Sequence, residues 1–136
     1  VFGPGRIRGY ITSPGRKFMW AAEFVQKAVA GEECEIDLSP DDQLNMVYVN
    51  DAVRLMSLIL DADSPAHPVY NTGGHTISVR DLAALIEELT GTPVTWNDDA
   101  KPWGRPPIVS HSRAADDFGY ELTSLSDSIL DYISRL

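Results

Sequence analysis

Met46-Val47-Tyr48-Val49-Asn50-Asp51-Ala52-Val53 is the stretch on which the reading of this chain turns. Residues 46–49 are rich in β-branched and aromatic side chains, and Asn50 and Asp51 are good helix starters, so a strand is predicted to run directly into a helix. Ala52, Leu55, Met56, Ile59 and Leu60 then share one helical face. The helix stops in the acidic, proline-containing run from Asp61 to Pro68.

The same alternation continues on both sides. Upstream, residues 3–15 carry the glycines and prolines of a loop, and a helix is predicted over 18–30 with Phe18, Ala21, Ala22, Val25, Ala28 and Val29 on its stripe. Trp20 and Phe24 fall outside that stripe, which predicts cover on more than one side. Residues 35–38 alternate as a short strand before a turn at 39–42. Downstream, residues 69–72 read as a strand closed by Gly73-Gly74. Ser78 is placed to cap an amphipathic helix (Val79, Leu82, Ala83, Ile86, Leu89) that Gly91 ends. A strand at 94–96, a loop over 98–107, a short helix that Ser112 can cap and that ends near Gly119, and a final helix opened by Ser124 complete the chain. The fold class is therefore α/β: a small mixed domain of short strands and about four to five helices.

Composition narrows the function. A net charge of -9, with 11 scattered Lys and Arg, excludes the basic stripe that nucleic-acid binding needs. Runs such as Leu58-Ile59-Leu60 are far too short to span a bilayer, and no signal segment is visible, so no membrane is expected and a cytoplasmic setting is. Cys34 is the single cysteine, so no internal disulfide can form; it is expected as a half-buried thiol at a helix end. His67 and His111 lack further ligands at metal spacing, and no metal site is predicted.

Five segments together resemble the extended short-chain dehydrogenases/reductases, the NAD-dependent epimerase/dehydratase family. Val1-Phe2-Gly3-Pro4-Gly5-Arg6 is similar to its "VYGPG(R)" segment, and residues 46–53 to "[FWI]-[VI]-[YH]-V-x-D-[VA]-[AV]". Val69-Tyr70-Asn71-Thr72-Gly73-Gly74-His75 resembles "xYNIGGx", followed by Ser78-Val79-Arg80-Asp81-Leu82 as the expected helix start. Ser112-Arg113-Ala114 with Phe118-Gly119-Tyr120 resembles "D-x-S-[KR]-A-x-x-x-[LF]-G-[WY]", and Ser124-Leu125 the closing "SLEEGI" helix. The order and spacing cover nearly the entire chain. The resemblance implies that residues 1–136 are the carboxy-terminal, substrate-binding portion of such an enzyme, without its Rossmann domain. Residues 1–5 and about 46–62 are then expected to pack on that dinucleotide-binding domain. Val1-Phe2, an apolar pair entering a turn, reads as the end of a buried strand.

The family's engine is not in this sequence. Gly3, Gly5 and Gly9 lack both the spacing and the following helix of a dinucleotide fingerprint. The family's Tyr-x-x-x-Lys pair exchanges a proton while the cofactor takes hydride from substrate. Here Tyr10, Tyr48, Tyr70, Tyr120 and Tyr132 are followed at that offset by Pro14, Ala52, Gly74, Ser124 and Leu136. No catalytic and no cofactor-binding residue is therefore predicted. NAD or NADP is implied for the intact parent, and this chain alone is expected to be inactive and to bind neither.

Four residues are candidates for substrate contact. Arg105, in Gly104-Arg105-Pro106-Pro107, resembles a family arginine that contacts a nucleotide diphosphate, and guanidinium is suited to phosphate or carboxylate. Trp103 lies in the same loop, and Arg6, with Arg8, in the loop expected near the cleft. Asn45 could hydrogen-bond a substrate hydroxyl, or stabilise a turn. Many sugar-nucleotide relatives carry "R-[DN]-[FWY]" before the strand, with the Arg on phosphate. Here Leu44-Asn45-Met46 stands there, with Asp41 and Asp42 close by, which turns the expectation toward an unactivated sugar, sugar acid or other small alcohol or carbonyl. The alternative to an enzyme part is a stand-alone binding or protein-interaction domain derived from the family. Relatives often pair through the cofactor domain, which leaves a homodimer open.

Overall fold

The computed structural model describes residues 2–3, 21–102 and 108–136. In chain order the elements are α1 (Ala21–Val29), β1 (Cys34–Ile36), β2 (Gln43–Met46), α2 (Val49–Asp61), β3 (His75–Ser78), α3 (Val79–Thr90), β4 (Val94–Trp96), α4 (Ser112–Phe118) and α5 (Leu125–Ile133). Five helices and two two-stranded sheets among the described residues match the α/β expectation. β1 and β4 run parallel, with Cys34 opposite Val94 and Ile36 opposite Trp96. β2 and β3 are antiparallel, with Leu44 opposite Ile77 and Met46 opposite His75.

The main core lies where α1, α3 and α5 meet the strands. Val25, Ala28, Ile36, Val79, Leu82, Ile86 and Ile129 are buried there. Removing each such large aliphatic side chain from water contributes roughly 1.5–3 kcal/mol. A smaller cluster joins Leu55 of α2 to Ala114 and Tyr120.

Local signals at the helix ends behave as read. The Ser78 hydroxyl accepts the Asp81 N–H at 3.0 Å, and Gly91 ends α3 with a left-handed φ of 74°. Ser124 caps α5 in the same way, accepting from Asp127 N–H at 3.1 Å. Ser112 does not cap α4. It is the first helical residue, and its own N–H donates to Ser110 Oγ at 3.2 Å, because Ser110 stands two positions earlier at the right reach.

Two strands shift from their expected places. The run 46–49 is not a strand: β2 ends at Met46 and α2 begins at Val49, with Tyr48 at the N-cap. Tyr48 keeps only a parallel bridge to Phe2, made by Phe2 N–H to Val47 O and Val49 N–H to Phe2 O. Residues 69–72 also form no strand; pairing with β2 falls on His75–Ser78. β-propensity needs a partner edge, and Tyr70 is occupied instead by its hydroxyl bond to Asp117 and its ring contact with Phe118.

Side-chain expectations are also corrected. Cys34 is fully buried inside β1, not half-buried at a helix end, because α1 stops at Val29 and a turn intervenes. Phe24 joins the core whereas Val29, at 44% exposure, leaves it. On α2, Ala52 and Leu55 face inward but Met56 and Leu60, assigned to the same face, point outward.

Tyr48 ties the start of α2 to α5: its hydroxyl donates to Asp131 Oδ2 at 2.5 Å, while Arg135 holds the same carboxylate at 3.0 Å. Burial, reinforced by the adjacent Asp131 carboxylate, pushes the Tyr48 phenol up to about 12. An unfolded tyrosine ionises near 10 while the folded one keeps its proton, so this contribution is complete below pH 10 and drains away toward pH 12. Chemical denaturation of the full-length protein should show Tyr48→Phe costing about 1–2 kcal/mol at pH 8, and a shallower loss of stability above pH 10 than the wild type. Parallel base titrations of the two proteins would contradict it.

Candidate functional site

The best-defined polar site is built around the turn that feeds β3. Gly73 adopts φ 68° and Gly74 φ 157°, conformations that side chains rarely take. A Cβ on Gly73 would lie 2.4 Å from His111 Nδ1, and one on Gly74 would lie 2.4 Å from Asn45 Oδ1. The absent side chains thus let an imidazole and a carboxamide close onto consecutive residues. Asn45 reaches the turn from β2, and His111 from the N-terminus of α4.

Three further contacts fix the turn. The Tyr120 hydroxyl donates to Thr72 O at 3.1 Å, and its ring meets His111 edge-on at 5.9 Å. His75 Nε2 is 2.7 Å from Thr123 O. Burial raises the Tyr120 phenol above its ordinary value, and the Asp51 charge adds to the effect.

Behind the turn sits a buried carboxylate. Asp51 is 1% exposed and accepts from Thr123 Oγ1 at 2.7 Å, from Thr123 N–H at 3.2 Å and from Arg54 at 3.0 Å. Arg54 also donates to Glu121 O and lies over the Tyr120 ring, 5.5 Å from its centroid. Asp51, expected as a helix starter, therefore spends its side chain across the fold rather than on the helix end. Thr123 is the hinge of the arrangement: its N–H and hydroxyl bind Asp51 and its carbonyl holds His75.

Of the sequence candidates, Asn45 lies in this site, with its Nδ2 buried and without a hydrogen-bond partner among the described residues. Arg6, Arg8, Trp103 and Arg105 lie outside the described residues. Trp96 is a packing residue capped by the Arg80 guanidinium at 5.1 Å, with Nε1 donating to Asp98. His67 pairs loosely with Asp117 at 3.9 Å on another part of the surface. His75 is the first residue of β3 and ties the glycine turn to Thr123. Sequence reasoning missed His111, whose only signal was its place just before Ser112, and Thr123, which carried none. No group of three His, Cys, Asp or Glu side chains gathers among the described residues, and no described helix is long and apolar enough to cross a membrane.

No protein-family model matches the chain, and no curated protein matches it by sequence. Solved structures do match. The apo form of a GalE-like L-threonine dehydrogenase from Cupriavidus necator superposes with a TM-score of 0.70 at 26% identity, over 84% of this chain and 44% of that one. UDP-glucose 4-epimerase from Thermotoga maritima, with UDP-glucose, gives 0.71 at 25% identity, over 90% and 40%. MoeE5, in complex with UDP-glucuronic acid and NAD, gives 0.72 at 22% identity over 98% and 43%, a likeness of fold alone.

These neighbours are enzymes of the NAD-dependent epimerase/dehydratase family, and this chain has the fold of a part of them. The chain spans about two fifths of the length of each. The family resemblance read from the five sequence segments is borne out.

Gly73→Ala meets two obstacles at once, the positive φ and the His111 ring, whereas Gly91→Ala meets open space. Denaturation should therefore place Gly73→Ala about 2–4 kcal/mol below wild type and Gly91→Ala only about 1 kcal/mol below. Equal losses would remove the His111 contact from the account.

Proposed function

We propose that this chain is the substrate-binding portion of an NAD(P)-dependent epimerase, dehydratase or dehydrogenase acting on a sugar-like or other small hydroxylated substrate. The observation that carries the proposal is the second apolar stripe of α2. Val53, Met56 and Leu60 are 54%, 61% and 83% exposed, and with half-buried Val49 they fall within roughly 60° of one another around the helix. A helix apolar on two sides expects two partners. The inner one is the Leu55 cluster. We assign the outer one to the dinucleotide-binding portion of the same protein, in line with the packing expected for residues 1–5 and 46–62.

The cofactor's residues would then come from that portion. NAD or NADP would supply hydride uptake and return. The present chain offers neither a Tyr-x-x-x-Lys pair nor a fingerprint glycine turn for it, and its role is to bind and orient substrate.

The substrate reading rests on the β2 edge. Leu44 packs against the core opposite Ile77, so a side chain that could have been an anion-binding arginine is an apolar one turned inward. This supports a ligand with little phosphate recognition at that point, such as an unactivated sugar, a sugar acid or a small amino alcohol. Arg105 remains our candidate for holding a carboxylate or phosphate group.

Calorimetry on the full-length protein tests the proposal. NAD or NADP should bind at micromolar levels, and Met56→Asp should abolish that binding or leave the protein unfolded. A full-length protein that binds neither cofactor would overturn the assignment. With a turned-over substrate in hand, Arg105→Ala should raise KM about tenfold or more while changing kcat less. An unchanged KM would remove Arg105 from the site.

A further inference from the structure

We draw no further inference here: the strongest candidate, the cavity of about 470 Å³ between α2 and residues 118–123, is lined by Leu58, Phe118 and Leu122 beside an Arg54 guanidinium that Asp51 and Glu121 O already hold, and nothing in the structure shows what covers it.

Discussion

The Asp51 carboxylate is the constraint on which the site depends. A charge with 1% exposure persists only when its lone pairs are filled, and here Thr123 supplies two donors and Arg54 another. That requirement pins the segment before α5 against the first turn of α2. Through Thr123 O it reaches His75 and the head of β3, and through Arg54 it reaches the face of Tyr120. The Gly73-Gly74 turn is thereby held from a distance by a residue that never touches it. On the other flank Tyr48 performs a parallel task, anchoring the same helix start to Asp131 of α5.

The helix that carries these anchors also bears a second apolar stripe. Its inner face is buried against Leu55's neighbours, while Val53, Met56 and Leu60 face outward. The bridge to Tyr48 brings Phe2 to the same end of α2. An outward apolar stripe, a parallel bridge to Phe2 and a carboxylate-anchored N-terminus thus meet on one helix. The structural neighbours are matched over only about two fifths of their own length.

Much of this was legible in the sequence, and the exceptions have physical causes. Periodicity located α3 and α5, and Ser78, Gly91 and Ser124 marked their ends, because caps are local chemistry. The strands were less legible. Residues 46–49 and 69–72 have the right side chains, but pairing is decided by the partner edge, and that edge runs along His75–Ser78. The outward turn of Met56 and Leu60 follows from which stripe meets the Leu55 cluster, a matter of tertiary packing. In the site, the glycine pair was visible and so was Asn45. His111 and Thr123 were not, since their roles come from partners 38 to 72 residues away in the chain. Asp51 stood in the deciding segment from the start, but as a helix starter; only the fold reveals that it reaches Thr123.

Amide hydrogen exchange on the full-length protein, wild type against Asp51→Ala, tests the central dependence most directly. The account predicts faster exchange at residues 119–124 and also at residues 72–75, while α3, packed in the main core, keeps its protection. Faster exchange confined to Thr123, with the glycine turn and β3 unchanged, would contradict the claim that Asp51 holds the site.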